Sequence, residues 1–238
     1  MTSTKGKLYL IPTTLGDTSE TTDVIPLKVN QIINTIDEYI VENEKSARHY
    51  LKKIGIKKAL QEIILHPLNT RTEAYEISSF MKSLYEGKDI GIISEAGCPG
   101  IADPGAEVVK LAHANNIDVI PLVGPSSILL ALMASGFNGQ NFAFNGYLPK
   151  ERPDRIKKIK ELEKLAITKN QTQLFIETPY RNMHIVEDIL SSCDDKTKLC
   201  IACDITLPKE YIKTKRISDW KFKTPDIAKR PAIFLIYK

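Results

Sequence analysis

The stretch DIGIISEAGCPGIADPGAEVV, residues Asp89 to Val109, decides the fold. It opens with Ile90-Gly91-Ile92-Ile93, a β-branched apolar run that predicts a short buried strand. From Glu107 onward the apolar residues follow the spacing of a helix. The segment between them therefore lies just past the carboxyl end of a strand, which is where open α/β sheets bind their ligands.

The composition of this loop favours close contact with a ligand. Gly97 and Gly100 lack a Cβ, so backbone can approach another group closely. Pro99 and Pro104 stiffen the loop, and Asp103 is placed to cap the following helix. The glycine spacing is neither the dinucleotide-binding fingerprint nor a phosphate-binding loop, and an ordinary strand-to-helix turn is the alternative interpretation.

Length and composition are those of a globular chain with a real core. The 238 residues are 42% hydrophobic and 26% charged, enough for one large domain or two of ordinary size. No apolar run approaches the length that a bilayer requires, and the start MTSTKGK lacks the apolar region of a signal peptide. We therefore expect no membrane association and a cytoplasmic location.

The four cysteines and four histidines give no metal signal. Cys200 and Cys203 have C-x-x-C spacing, but they lie in LCIACDI, which is typical of a strand. Residues three apart on a strand point to opposite faces, so this pair is predicted to be two buried thiols that bind no metal. The histidines form no catalytic triad or metal set and are interpreted as surface or local structural residues.

The net charge of +4 is modest, but the cations are concentrated in two segments. Six lysines and arginines lie between residues 45 and 58 with no acidic residue among them, and eight between residues 150 and 169 accompany four acids. Such segments could contact phosphates, although each is equally typical of a solvated helix face.

Strands and helices alternate along the first half of the chain, which is the pattern of a parallel sheet. Glu38 to Val41 reads as the second strand. Beyond residue 123 strands follow one another with fewer helices, which indicates a mixed sheet. We therefore expect an N-terminal parallel α/β domain over residues 1–122 and a C-terminal mixed α/β domain over residues 123–238. Ser126 to Met133 is apolar nearly all round, so a buried helix capped by Ser126 is predicted there.

The sequence of the central loop, SEAGCPGIADPG, resembles the D-A-G-T-P-G-I-S-D-P-G signature of the tetrapyrrole methylase superfamily. It is most similar to the branch that methylates a ribose 2′-hydroxyl of bacterial small-subunit ribosomal RNA. Further matches follow in family order: LYLIPTTLGD (Leu8 to Asp17), PLVGPSSILLALMASGF (Pro121 to Phe137), FNGYLPKE (Phe144 to Glu151) and LFIETPYR (Leu174 to Arg181).

This resemblance implies the two-domain tetrapyrrole-methylase-like fold, with S-adenosylmethionine held in the cleft between the domains. It also implies a homodimer and ribosomal RNA as the partner. The cofactor contacts that it implies are Pro12, Gly97, Cys98, Pro99, Ile101, Ser126 and Ser127 in the first set of loops, and Ile176, Glu177, Ala202 and Ala232 in the second domain.

Removing a proton from a ribose hydroxyl calls for a base near the methyl group, usually a carboxylate or a histidine. The candidates by placement are Glu177, Glu44 and Asp103, with Asp17 and Glu95 also at strand ends. Helix capping or a solvated surface position is the alternative for each. Asp17, Lys45, Arg48 and Arg181 are predicted to contact the substrate.

Two departures bear on the acceptor. The ribosomal enzymes carry A-E-D-T-R after the second strand, where this chain has ENEKSAR, residues 42–48. They also continue for a C-terminal segment that does not follow here. Two other functions therefore stay open: methylation of a tetrapyrrole or precorrin-like small molecule, and binding of S-adenosylmethionine without catalysis.

Overall fold

A computed structural model gives the structure of the chain and describes residues 5–69 and 72–238. The chain divides into two compact units, Met1–Ser126 and Ser127–Lys238. The predicted boundary at residues 122/123 and this division both fall in the connection between Pro121 and Ser127.

The first unit is built on a parallel sheet of five strands in the order β3-β2-β4-β1-β5. The strands are β1 (Leu8–Ile11), β2 (Glu38–Val41), β3 (Ile64–Pro67), β4 (Ile90–Ile93) and β5 (Val119–Pro121). The helices are α1 (Thr21–Val24), α2 (Leu27–Ile33), α3 (Glu44–Lys53), α4 (Ala74–Phe80), α5 (Lys82–Tyr85) and α6 (Gly105–Ala114).

Helices cover both faces of this sheet, and successive strand residues point to opposite faces. Along β2, Tyr39 and Val41 join the core against α2 and α3, whereas Ile40 joins the core against α4, α5 and α6. Every residue of β2 and β4 is buried. A strand covered on both sides is mostly apolar, which explains the apolar runs in the sequence, and the one carboxylate at the start of β2, Glu38, is paired with His66 at 2.6 Å.

The three central strands end level with one another. Val41 of β2 and Ile11 of β1 both lie opposite Ile93 of β4 in the parallel register. The loops that follow these residues therefore leave the sheet at one edge, which is the edge where a site is expected.

The second unit is built on a mixed sheet in the order β6-β7-β10-β8-β9, in which β6 and β7 are parallel and the other pairs antiparallel. Its strands are β6 (Phe142–Tyr147), β7 (Thr172–Ile176), β8 (Lys198–Cys203), β9 (Tyr211–Arg216) and β10 (Ala232–Tyr237). Its helices are α7 (Ser127–Ser135), α8 (Arg152–Thr168), α9 (Asn182–Ser192) and α10 (Ile217–Phe222). The two sheets confirm the predicted fold class.

One buried ion pair joins α8 to α9. Asp188 accepts hydrogen bonds from Arg155 Nε at 2.7 Å and from Arg152 Nε at 2.8 Å. Arg155 and Asp188 are both buried, whereas Arg152 is exposed. Part of the basic segment that begins at residue 150 therefore serves the packing of two helices.

The helix α7 differs from its predicted burial. It packs against β9 and β10, and the hydroxyl of Thr214 donates to the carbonyl of Ser135 at 2.8 Å. Leu129 and Met133, however, are 52% and 77% exposed. The two side chains are four positions apart and thus share one face of the helix. An apolar composition all round the helix predicted burial on every side, but the side chains of Leu129 and Met133 on one face are exposed.

Within the described residues, no helix is long and apolar enough to cross a membrane, and no three acidic, histidine or cysteine side chains are grouped as metal ligands.

Gly91 makes the central strand sensitive to added volume. A Cβ at this position would lie 2.7 Å from the Tyr39 ring and 2.6 Å from Ile11 Cδ1. The Tyr39 hydroxyl is fixed by the carbonyls of Ile33 and Ile36, so the ring cannot easily withdraw. We expect Gly91→Ala to lower the free energy of unfolding by about 1–3 kcal/mol, because overpacking strains the core. Urea unfolding measures this, and Gly139→Ala is the control, since nothing lies within 4 Å of that position. Equal stability of the two variants would contradict the packing.

Candidate functional site

A cleft of about 360 Å³ lies at the carboxyl ends of β1, β2 and β4 in the first unit. This volume falls within the usual range of small-molecule sites. Its walls are the loop after β1, the first turns of α3 and the end of β4. The residues that line it are Thr13, Thr14, Gly16, Asp17, Asn43, Lys45, Ser46, Ala47, His49, Tyr50, Lys53, Ile93, Ser94 and Glu95.

The loop after β1 is tied to α3 by two side chains. Tyr50 donates its hydroxyl to the carbonyl of Pro12 at 2.6 Å, and burial raises the pKa of this phenol. Lys53 donates to the carbonyl of Ser19 at 2.6 Å and to that of Asp17 at 2.5 Å. The loop that carries Asp17 is thereby held against the helix.

Three loops approach one another closely beside the cleft. The amide of Thr13 donates to the carbonyl of Gly97 at 2.9 Å, and the thiol of Cys98 donates to that of Pro125 at 3.5 Å. A Cβ on Gly124 would lie 2.1 Å from the Cβ of Pro12, so no larger residue fits there. Gly97 has a φ of +74°, which favours glycine. The loops after β1, β4 and β5 therefore meet backbone to backbone, as the level strand ends require.

Thr13 offers a hydrogen-bonding group that the chain leaves unused. Its side chain is buried, and its hydroxyl has no hydrogen-bond partner among the described residues. An unsatisfied buried polar group is costly and needs an explanation, of which a bound ligand is one.

The start of α3 brings a set of polar groups to the cleft. The side chain of Asn43 caps the helix by accepting from the amides of Lys45 at 2.9 Å and Ser46 at 3.3 Å. The hydroxyl of Ser46 donates to the carboxylate of Glu95. The amide of Glu95 donates to the carboxylate of Glu42 at 3.0 Å. These bonds connect the end of β2 to the end of β4 and aim the Glu95 carboxylate at the cleft.

The carboxylates of Glu42 and Asp103 accept hydrogen bonds from backbone amides of the protein. Burial raises the pKa of the Glu42 carboxyl, and the negative charges of Asp103 and Glu95 raise it further, while the amide of Glu95 lowers it. Asp103 accepts from the amides of Gly100 at 2.8 Å and Gly105 at 2.7 Å. It thus closes the loop and binds the first amide of α6, that of Gly105.

The second unit gathers four of the predicted cofactor contacts at one end of its sheet. Ile176 and Ala202 both lie opposite Ile233 in the register, and Ala232 is the preceding residue of β10. Glu177 directly follows Ile176.

Glu177 is 4% exposed, and its two carboxylate oxygens differ in their surroundings. One oxygen accepts from the amide of Thr178 at 2.7 Å and from Nε of Arg181 at 3.0 Å. The other is buried and has no hydrogen-bond partner in the described part of the chain. Arg181, predicted to contact substrate, is thus engaged with Glu177.

The other predicted site residues divide between the cleft and its surroundings. Asp17 and Lys45 line the cleft. Glu44 is exposed and lies 3.7 Å from Arg48, whose guanidinium also donates to the carbonyl of Leu60 at 2.5 Å. The predicted cofactor contacts of the first unit lie in the three loops that meet: Pro12, Gly97, Cys98, Pro99, Ile101 and Ser126, with Ser127 starting α7.

Sequence reasoning missed several residues of the cleft, chiefly Ser46, His49, Tyr50 and Lys53 of α3. A signal was available in their spacing, because residues 46, 49, 50 and 53 follow the i, i+3, i+4, i+7 pattern of one helix face.

The family described as Tetrapyrrole (Corrin/Porphyrin) Methylases matches residues 7–220. A protein of Buchnera aphidicola subsp. Schizaphis graminum (strain Sg), named ribosomal RNA small subunit methyltransferase I, is 31% identical over 97% of this chain and 78% of its own length. One of the same name from Thermotoga maritima is 31% identical over 92% and 94%.

Two solved structures share the fold. The methyltransferase CobJ is 18% identical with a TM-score of 0.64, covering 98% of this chain and 94% of that one. A uroporphyrin-III C-methyl transferase from Thermus thermophilus, complexed with S-adenosyl homocysteine, is 15% identical with a TM-score of 0.54, covering 98% of each chain.

The anchoring of the loop after β1 by Lys53 can be tested directly. We expect Lys53→Met to release residues 17–19, because the Met side chain keeps the apolar stem but donates no hydrogen bond to the two carbonyls. Hydrogen exchange of peptides over residues 16–20 should become faster, while peptides of β2 and β4 exchange as before. Lys52→Met, the neighbouring exposed position, is the control. The anchor is refuted if both variants protect the loop as the wild type does.

Proposed function

This chain belongs to the tetrapyrrole (corrin/porphyrin) methylases, and from that premise we propose that it methylates a ribose 2′-hydroxyl of small-subunit ribosomal RNA. It is an S-adenosylmethionine-dependent methyltransferase. The observation that carries the proposed acceptor is the cleft at the strand ends, which combines carboxylates that can take a proton with a basic helix that can meet RNA.

The residues of the loops after β1, β4 and β5 are suited to bind the methyl donor. Gly97 and Gly124 let the loops after β4 and β5 approach the loop after β1 closely, which brings these three loops together beside the cleft. The buried hydroxyl of Thr13 and the second carboxylate oxygen of Glu177 are unused acceptor or donor positions, each in its own unit. We assign the loops after β1, β4 and β5 of the first unit to the donor.

The donor supplies a methyl group on a positively charged sulfur, which is already activated for transfer. Positioning can then provide much of the acceleration, so the protein needs to align the acceptor hydroxyl and take its proton.

We assign proton removal to Glu95. Its carboxylate lines the cleft, and Ser46 in the first turn of α3 holds it by a hydrogen bond. The other candidates have competing partners: Asp103 accepts two backbone amides, Glu177 pairs with Arg181, and Glu44 lies near Arg48 outside the lining of the cleft. Glu95 is thus the candidate that is both oriented and in reach of a ligand.

Asp17 and Lys45 are the predicted substrate contacts that this site retains, because both line the cleft. Arg48 and Arg181 instead hold Leu60 and Glu177 in place. We infer that the acceptor ribose enters between the loop after β1 and the start of α3.

The function is tested by methyl transfer from labelled S-adenosylmethionine to small ribosomal subunits from cells that lack the protein. Nuclease digestion should then yield a labelled 2′-O-methyl nucleoside. Label in a base would exclude the ribose, and label in a precorrin or uroporphyrin but none in the subunits would establish the small-molecule alternative. Binding of S-adenosylmethionine in a calorimeter without transfer to any of these acceptors would establish the non-catalytic one.

The assignment of Glu95 predicts a large kinetic effect. We expect Glu95→Gln to lower kcat by about 10²–10⁴, because the amide keeps the hydrogen bond from Ser46 but cannot take a proton. The affinity for S-adenosylmethionine should stay the same in calorimetry. Glu44→Gln is the competing variant, and a larger loss of kcat there than at Glu95 would move the base to Glu44.

We also propose that the chain forms a homodimer through α7. The support is the pair of apolar side chains Leu129 and Met133 on one face of α7, which are 52% and 77% exposed. Large exposed apolar patches are typical of association sites.

A charge on this face should break the dimer. We expect Met133→Glu to give a monomer in sedimentation velocity, because a buried unpaired carboxylate is costly at an interface. Phe222→Glu replaces another exposed apolar side chain, 91% exposed on α10, and should leave the dimer intact. A dimeric Met133→Glu protein would exclude α7 as the interface, and a monomeric wild type would exclude the homodimer.

A further inference from the structure

The cations of α3 and the segment after it fall into two groups. Arg48 donates to the carbonyl of Leu60, Lys53 donates to those of Asp17 and Ser19, and Lys58 pairs with Asp37. These three side chains hold the chain together, so their charges serve the fold.

The basic side chains of the second group make no such contacts. Lys45, His49 and Lys52 are exposed, and within residues 5–69 and 72–238 their side chains have no hydrogen-bond or ion-pair partner. They are spaced four and three residues apart, which places them on one face of the helix. At 1.5 Å per residue they extend over roughly 10 Å. We call the surface formed by Lys45 and Lys52, with the imidazole of His49 between them, the cationic face of α3.

This face is continuous with the cleft. Lys45 and His49 also line the cleft, whereas Lys52 lies one turn further along the helix. The sequence from Lys45 to Lys58 contains no acidic residue, so no carboxylate on this segment competes for these charges.

The cleft itself is lined by two carboxylates as well as by Lys45 and Lys53, and the Lys53 ammonium is already engaged by the carbonyls of Asp17 and Ser19. The carboxylates of Asp17 and Glu95 disfavour a phosphate in the cleft. A neutral ribose suits the cleft, and the phosphates on either side of that ribose need cations outside it. The cationic face begins at the rim of the cleft and offers them.

We propose that the cationic face of α3 binds the phosphates of the single-stranded RNA segment that flanks the acceptor nucleotide. This inference rests on the proposed function and adds where the strand runs. Exposed single-stranded segments are the usual targets of proteins that act on a chosen nucleotide of RNA. Phosphate contacts fix the register of such a strand without reading its sequence.

A second basic surface provides a matched control. Lys157 and Lys164 of α8 are exposed as well, but Glu161 lies four positions after the first and three before the second. Removing two lysines from either helix changes the net charge by the same amount. A general effect of net charge would therefore weaken RNA binding equally in both cases.

The experiment compares Lys45→Ala/Lys52→Ala with Lys157→Ala/Lys164→Ala in the full chain. The probes are small ribosomal subunits in the methylation assay and a mixed-sequence single-stranded RNA in filter binding. The α3 double variant should bind the RNA about tenfold or more weakly at low salt, with a correspondingly higher KM for subunits. The slope of log K against log salt should fall by about 0.7 for each lysine removed. The α8 double variant should match the wild type.

Two further measurements separate a lost contact from a damaged fold. Calorimetry with S-adenosylmethionine should give the wild-type affinity for both double variants, and Lys45→Arg/Lys52→Arg should restore most of the RNA affinity, since arginine also binds phosphate.

The inference is overturned if the α3 double variant keeps the wild-type affinity and salt slope, if the α8 double variant loses as much, or if arginine does not rescue. Failure of the wild type to methylate subunits would instead refute the proposed acceptor, and the comparison in filter binding would still decide whether this face binds RNA.

Discussion

The level ending of β1, β2 and β4 is the constraint on which the rest of the first unit depends. The register is set by packing on the two faces: Tyr39 and Val41 fill the core beside α2 and α3, and Ile40 fills the core beside α4, α5 and α6, so a shift of one residue would exchange these side chains between two different cores. With Ile11, Val41 and Ile93 opposite one another, three loops must leave at a single edge. The cleft follows from this geometry, and its chemistry follows from which residues those loops carry.

The loops gain their positions from backbone contacts and from α3. Gly97 and Gly124 allow the loops after β4 and β5 to touch the loop after β1, and Tyr50 and Lys53 fix that loop from the helix. The same helix presents its start to the cleft and its outer face to solvent. One element therefore both shapes the site and offers a surface beside it, with different side chains for each task.

The strands and loops of the fold were predicted from the sequence more accurately than the side-chain contacts of the cleft. The strand Glu38–Val41 was predicted with its observed bounds, because Tyr39, Ile40 and Val41 are aromatic and β-branched residues in sequence, which are typical of a strand. The loop after β4 was located for the same reason. The partners of charged side chains could not be predicted: Arg48 and Lys52 look alike in sequence, yet one donates to Leu60 and the other is free, and tertiary contacts decide which. The burial of α7 was overestimated because apolar composition does not say whether the cover comes from the chain itself.

The hydrogen bonds of Asp188 to Arg152 and Arg155 make these three positions unequally tolerant of substitution during evolution. Arg152 is exposed, so its loss would leave no stranded charge. Arg155 is buried, and a change at Asp188 would strand its guanidinium between α8 and α9, which costs about 3–5 kcal/mol in comparable cases. Substitution of Arg152 is therefore tolerated more readily than substitution of Asp188 or Arg155, because removing either member of the buried pair takes from the other its buried partner.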